Sequence, residues 1–219
     1  MILDLTHPIT ETMSMYPGTE APKLHVAYTH EEFGFMETLI NMFSHTGTHV
    51  DAPAHLFSGG LTLDKYPIGH FVGKARVVDC RNFNEGGFMP AEVLEEPGNP
   101  ENEAEFVLFR TGHDRFWGSP DYFKNFPVMP REVAEWVNRR KFKGIGVDAP
   151  SFDPVTAEGL EEASEELHNH RAILETGNTL LYENLRGLDG IGAGLFTFCA
   201  LPLNIANADG APVRVIAMI

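Results

Sequence analysis

Short apolar runs alternate with longer polar stretches along the chain, which is the pattern of an α/β protein. Several of these runs, such as "FVLFR" and "GIGVD", are apolar almost throughout, and continuous apolar runs are typical of strands that are buried on both faces. We predict seven such strands, at residues 24–28, 75–79, 106–110, 144–148, 179–183, 195–201 and 213–219.

Helical spacing of apolar residues occurs between the predicted strands. Segment 130–140 places Val133 and Val137 on one face of a helix, and it begins with a proline, which suits a first helical turn. We predict further helices over 89–96 and 163–177. This mixture of elements predicts an α/β fold with a mixed β-sheet and flanking helices.

The chain shows no division into parts. No internal repeat, low-complexity tract or long linker interrupts residues 1–219, so we expect a single domain, with an acidic surface loop at 95–105. No stretch approaches the roughly 20 apolar residues of a membrane-spanning helix. The first residues lack the basic and apolar regions of a signal peptide, so we expect a cytoplasmic protein.

Charge narrows the range of partners. The chain carries 31 acidic and 16 basic residues, a net charge of −15. Nucleic acids and anionic membranes bind clustered lysine and arginine, so we expect neither as a partner. The acidic surplus leaves carboxylates available for a cation site.

The stretch "HTGTHVDAPAH", residues 45–55, carries the strongest chemical signal. Four of its side chains can bind a metal, His45, His49, Asp51 and His55, and all four have odd numbers. Alternate residues of an extended chain share a face, so these side chains would point the same way. On a helix the first two would lie apart from the last two. We therefore predict one polar face on an extended segment.

The spacing of the first two histidines also requires a bend. Four residues of straight strand span about 13 Å, whereas imidazoles that share an ion each lie about 2.1 Å from it. His45 and His49 can share an ion only if the chain curls between them, and Gly47 tolerates the positive φ that a curl needs. Pro53 then ends strand pairing and lets the chain bring His55 inward.

Two imidazoles and a carboxylate suit zinc, manganese or iron(II). Three protein ligands leave open positions, as in catalytic sites, where a metal-bound water of pKa about 7 becomes a hydroxide nucleophile. His55 is either a further ligand or a general acid/base, and we favour the second role because the leaving nitrogen of an amide needs a proton. His168, His170 and Glu183 form a second candidate cluster that would suit a two-metal site.

The motif resembles the HxGTHxDxPxH signature of the cyclase-like metal-dependent hydrolases, a family that includes bacterial kynurenine formamidases and isatin hydrolases. The likeness covers nearly the whole chain, from "DLTHPITETMSMYPG" to "ALPLNIANADGAPVRVIA". It implies a swivelling β/β/α-type fold and hydrolysis of a small amide or cyclic amide. It also implies a homodimer or homotetramer in which a loop of a neighbouring copy closes the pocket.

The resemblance implies roles for individual residues. His45, His49 and Asp51 match the metal ligands of the family, and His55 matches its proton-transferring histidine. Attack of a metal-bound hydroxide on the amide carbonyl, with protonation of the leaving nitrogen by His55, is the reaction that it implies.

Two-zinc members of the family complete the site with a distal histidine and a glutamate. Here "HRAIL" points to His170, with His168 as the alternative, and "ENL" points to Glu183. Members with one ion, often manganese, use a similar first cluster. Zinc or manganese, and one ion or two, therefore stay open.

Aromatic residues are candidates for the walls of a substrate pocket. Tyr16, in "YPG", stands where the formamidases carry a pocket-lining tryptophan, which predicts a substrate contact but weakens the case for N-formylkynurenine. Phe33, Phe35 and Phe43 are further candidates for apolar walls, although packing in the core is the expected use of each.

Two other functions stay open. "HVD" with a distant histidine also matches the facial triad of non-haem iron(II) oxygenases, although the predicted helices disfavour their all-β scaffold. A metal-stabilised binding protein without catalysis would use His55 as an ordinary ligand.

Overall fold

The computed structural model describes residues 1–81, 103–155 and 167–219. The predicted helix at 89–96 and the start of the one predicted at 163–177 lie outside the described residues, as does most of the predicted loop at 95–105.

Eight strands of the described residues form one mixed sheet that closes on itself. The strands are β1 (Ile2–Asp4), β4 (His49–Asp51), β5 (Val72–Asp79), β6 (Phe106–Arg110), β7 (Gly144–Val147), β8 (Leu180–Glu183), β9 (Phe196–Pro202) and β10 (Gly210–Met218). Their order in the sheet is β1-β10-β4-β8-β7-β6-β5-β9, and β9 also pairs with β10, which completes the closure. Strands β5, β6, β7 and β8 run parallel to one another, and the remaining pairs are antiparallel.

Two helices of the described segments cover the outside of the closed sheet. They are α2 (Arg131–Arg140) and α3 (His168–Leu174), and they follow a one-turn helix, α1 (His30–Phe33). The buried side of α2, which includes Trp136, packs with apolar residues of β6 and β7 in one core, while a second core fills the interior of the sheet. The predicted α/β fold with a mixed sheet and flanking helices is confirmed. No helix of the described residues is long and apolar enough to cross a membrane.

The alternation of side chains along β4 and β8 decides where polar groups collect. Val50 and Tyr182 lie opposite each other and belong to the interior core. Their neighbours His49, Asp51 and Glu183 therefore point outward, toward α3. A row of ligand-type side chains thus lies between the sheet and a helix.

Strands β2 (Lys23–Tyr28) and β3 (Glu37–Asn41) form a separate two-stranded hairpin, which we call the arm (residues 23–43). The expectation that Phe33, Phe35 and Phe43 pack in the core is wrong, because they are 52%, 50% and 55% exposed. The arm lies away from both cores, so its apolar side chains have no core to enter.

Candidate metal centre

The segment that carries the first histidines is curled and held from several sides. Gly47 has a φ of +67°, which confirms the predicted curl. Thr48 Oγ1 accepts a hydrogen bond from the backbone N–H of His7 at 3.0 Å and donates one to the carbonyl of Asn184 at 2.6 Å. The Asn184 amide nitrogen donates to the Gly47 carbonyl at 3.0 Å. The curl is thus held by two residues that are distant from it in sequence, His7 before it and Asn184 after it.

His45, His49 and Asp51 form a first ligand group. Asp51 Oδ1 lies 2.6 Å from His45 Nδ1 and 3.2 Å from His49 Nε2. His49 Nδ1 donates to the carbonyl of Gly47 at 2.8 Å, so Nε2 is the nitrogen that is left for an ion. The ligand atoms of this group all lie within 4.8 Å of one another, a spacing that one ion can span.

Asp51, His170 and Glu183 form a second ligand group. His170 Nε2 lies 3.4 Å from Asp51 Oδ2 and 3.2 Å from Glu183 Oε1. Glu183 Oε2 lies 3.6 Å from His49 Nε2. Each of the two carboxylates therefore turns one oxygen toward each group, so both carboxylates lie between the two groups.

Neutral imidazole is the form that binds a metal, and a partner on the second ring nitrogen fixes its orientation. His170 Nδ1 donates to Asp153 Oδ2 at 2.7 Å, which directs Nε2 at the ligand group. His168, the alternative distal ligand, is exposed on α3. The structure therefore brings His170, and not His168, to the other ligand-type residues.

His55 lies beside the first group rather than inside it. Its ring centroid is 4.0 Å from that of His45, and its side chain is 28% exposed. Asp209 lies next to both rings, with Oδ2 at 2.9 Å from His45 Nε2 and 3.6 Å from His55 Nδ1.

Sequence reasoning did not identify Asp153 or Asp209. Both occur in segments that carry the family resemblance, "GIGVDAPSFDP" and "NADGAP", but neither has histidines near it in sequence. Only the fold brings them to the imidazoles of His170 and His45.

The charges of the centre suit a divalent cation. Burial acts to raise the pKa of Asp51, but attraction to His45 and His49 and a hydrogen bond from His170 hold it well below its usual range. Burial acts to lower the pKa of His45, but attraction to Asp51 and hydrogen bonds to Asp209 and Asp51 raise it to about 10. The Asp51 carboxylate is thus ionised, and a cation bound beside it would take the place of a proton on the His45 imidazole.

A cavity of about 340 Å³ opens over the two groups, a size that suits a small molecule. Its walls include apolar side chains, among them Met15, Phe43 and Phe123. Tyr16 lies in this wall and packs edge-on against Phe123 with ring centroids 6.2 Å apart. Seven residues with a predicted metal-binding, catalytic or substrate-binding role line the cavity: Tyr16, His45, His49, Asp51, His55, His170 and Glu183. Of the candidates for further apolar walls, Phe43 lines it and Phe33 and Phe35 do not.

Comparisons with known proteins agree with this centre. Residues 3–154 match the model of the family described as "Putative cyclase". The kynurenine formamidase of Bacillus thuringiensis (strain Al Hakam) is 30% identical over 216 residues, which are 98% of this chain and 95% of that protein.

Two solved structures extend the likeness over the fold. A predicted metal-dependent hydrolase from Bacillus stearothermophilus is 27% identical, with a TM-score of 0.73 over 99% of this chain and 97% of that one. Isatin hydrolase A from Labrenzia aggregata, bound to benzyl benzoate, is 25% identical, with a TM-score of 0.81 over 100% of this chain and 93% of that one. The resemblance read from the sequence is confirmed, and the chain belongs to the cyclase family of metal-dependent hydrolases.

Proposed function

We propose that the protein is a metal-dependent hydrolase that cleaves the C–N bond of a small amide or cyclic amide. The observation that carries the proposal is the pair of buried carboxylates, Asp51 and Glu183, each of which lies between imidazoles of both ligand groups below an apolar cavity. Relatives named kynurenine formamidase and isatin hydrolase support the same class of reaction.

The donor set supports divalent metal as the cofactor, with zinc as the first choice and manganese as the alternative. His45, His49 and Asp51 would hold one ion, and Asp51, His170 and Glu183 would hold a second. When bound, such ions polarise a carbonyl oxygen and lower the pKa of a water molecule toward about 7.

Side chains of the protein itself carry out the proton transfer and bind the substrate. His55 is the general acid/base: Asp209 faces its Nδ1 at 3.6 Å, which leaves Nε2 to exchange a proton with the leaving nitrogen. Tyr16 contacts the substrate, and Phe43 and Phe123 exclude water from it. The aromatic wall favours a substrate with an apolar or aromatic group next to the amide.

We also propose that the protein assembles as a homodimer or homotetramer through the arm and acts in the cytoplasm. Eight large apolar side chains of the arm are exposed, which is typical of an interface. Phe43 belongs both to the arm and to the cavity wall, so a second copy seated there would also cover the mouth of the cavity. The free thiols of Cys80 and Cys199 suit a reducing compartment.

Phe35→Glu tests the interface at the arm. It should lower the molar mass measured by light scattering, and an unchanged mass would contradict an interface at the arm.

Metal content by mass spectrometry, measured together with hydrolysis of formanilide-type amides, tests the proposal. We expect about two zinc ions per chain in the wild type. His55→Ala should keep the metal and lower kcat by about 100- to 10,000-fold, whereas Glu183→Ala should lose metal. His168→Ala, which changes an exposed residue of the same helix as His170, is the matched control and should change neither.

Other outcomes select other functions. One manganese ion that is indifferent to Glu183→Ala would select the one-metal branch, and loss of metal in His55→Ala would make His55 an ordinary ligand. Oxygen uptake with iron would select an oxygenase. No bound metal after purification without chelator would overturn the proposal.

A further inference from the structure

Asp209 lies on the side of His45 that faces away from the ligand group. His45 Nδ1 points at Asp51 Oδ1 at 2.6 Å, while His45 Nε2 donates to Asp209 Oδ2 at 2.9 Å. The imidazole therefore lies between two carboxylates, of which only Asp51 belongs to the first ligand group. The same Asp209 oxygen lies 3.6 Å from His55 Nδ1, so one oxygen contacts a proposed ligand and the proposed acid/base.

The backbone around Asp209 is fitted to the His45 ring. The carbonyl of Asp209 accepts a hydrogen bond from the N–H of Ala52 at 2.8 Å, and Gly210 pairs in register with Asp51. A Cβ on Gly210 would lie 2.5 Å from His45 Cε1, so only glycine lets the backbone approach the ring this closely. The backbone of Asp209 and Gly210 thus packs against one side of the His45 ring, and the Asp209 carboxylate lies at its Nε2.

We propose that Asp209 is a positioning residue that joins His45 and His55 into one unit, so that the first ion and the proton transfer depend on the same carboxylate. This inference rests on the proposed function. A carboxylate on the second nitrogen of a metal-binding histidine fixes its tautomer and orientation. Here the same oxygen also limits rotation of the His55 ring, whose proton must reach the leaving nitrogen.

The test compares Asp209→Asn with Asp64→Asn, a matched control on the neighbouring loop. Asp64 accepts the backbone N–H of Asn207 at 3.1 Å and so supports the segment that carries Asp209. Zinc affinity is measured by competition with a chelator, and kcat and KM are measured on formanilide at saturating zinc.

We expect Asp209→Asn to weaken the binding of the first zinc ion by about 10- to 100-fold and to lower kcat by a similar factor. KM should stay within about twofold, because the aromatic wall that contacts the substrate, with Tyr16, Phe43 and Phe123, is unchanged. The kcat of the double variant with His55→Ala should match that of His55→Ala alone, because Asp209 acts on proton transfer through His55. Asp64→Asn should leave zinc affinity and kcat unchanged.

Zinc affinity and kcat of Asp209→Asn equal to those of the wild type would overturn the inference. An equal effect of Asp64→Asn would assign the loss to the shape of the loop and would overturn it too. A wild type that binds zinc but hydrolyses no amide would instead overturn the proposed function, while the zinc affinities of the two variants would still decide the role of Asp209.

Discussion

The two ligand groups share Asp51 but are built in different ways. The first group comes from one curled segment, residues 45–51, and His45 keeps 22% of its side chain exposed at the cavity. The second group brings β4 together with α3 and β8, more than a hundred residues along the chain, and the side chains of His170 and Glu183 are 3% and 7% exposed. The first group therefore depends on local backbone geometry, and the second depends on packing between distant elements.

Asp153 and Asp209, the carboxylates that contact the histidines from outside the two ligand groups, also differ in how they are held. Asp153 accepts the backbone N–H groups of Asn169 and His170, each at 2.9 Å, as well as the His170 ring. Asp153 is buried, and it thus fixes both the start of α3 and the orientation of the His170 ring. Asp209 contacts rings that border the cavity. We expect an ion in the second group to exchange more slowly than one in the first.

Asp51→Asn should have the largest effect, because it removes the carboxylate that both groups share. It also removes the negative charge that lies 2.6 Å from His45 Nδ1 and 3.4 Å from His170 Nε2. We expect loss of both ions and at least about a 1,000-fold loss of hydrolysis, beyond the 10- to 100-fold that a partner outside the ligand set costs. Zinc per chain and the rate on formanilide measure it, with circular dichroism to confirm folding. Loss of only one ion would show that the groups are independent.

Asp153→Asn should act on the second group alone. The amide cannot accept the His170 ring and two backbone N–H groups as the carboxylate does. We expect the second ion to bind about 10- to 100-fold more weakly while the first is unchanged. Calorimetric titration with zinc resolves the two ions, and Asp209→Asn is the mirror variant. If both variants weaken the same ion, the division into two groups is wrong.

The contrast between the groups also explains how much of the site could be predicted from sequence. His45, His49, Asp51 and His55 share a face because alternate residues of an extended chain do so, and the φ of Gly47 confirms the curl that their spacing required. His170 and Glu183 carry no such local pattern. The sequence offered them, together with His168, only as a second candidate cluster, and the family resemblance pointed to His170. Their proximity to the first group depends on how α3 crosses the sheet. The metal-binding roles of these residues stay predictions.

The strands of the closed sheet were mostly predictable, whereas their surroundings were not. Residues 106–109, for example, are apolar throughout because both faces of the strand are buried there. Strands β1 and β3 were missed, and the phenylalanines of the arm were expected in the core. Apolar composition shows that a side chain avoids water, but it does not distinguish a core from a surface that another chain covers.

His7→Gln tests how the buried ring of His7 affects stability. The backbone N–H of this residue holds Thr48 beside the first group. The ring of His7 stacks on Trp117 with centroids 4.1 Å apart, and burial together with Arg186 lowers its pKa from 6.5 to about 4. Between these values the unfolded chain binds a proton that the folded chain does not, so stability is lost as the pH falls from about 6.5 to 4. After allowance for solvent screening, we expect this loss to be about 1.5 kcal/mol.

Urea denaturation of the metal-free protein at pH 7 and pH 4.5 measures this effect. The free energy of unfolding should fall less between these pH values in His7→Gln than in the wild type, because glutamine does not titrate. Equal falls would mean that the folded protein accommodates a charged His7.

Gly47→Ala should have the smallest effect and separates local geometry from overall stability. A left-handed φ costs a residue with a side chain about 1 kcal/mol, and the new Cβ would meet Met13 only at 3.4 Å. Gly34→Ala is the matched control, because its φ of +78° carries the same penalty in the arm, where no atom lies within 4 Å of the new Cβ.

Both variants should lose about 1 kcal/mol of unfolding free energy. Only Gly47→Ala should weaken the first zinc ion, by at most about fivefold if the whole strain acts there. Equal zinc affinities would mean that long-range contacts hold His45 and His49 in place, and the first group would then depend on packing as the second does.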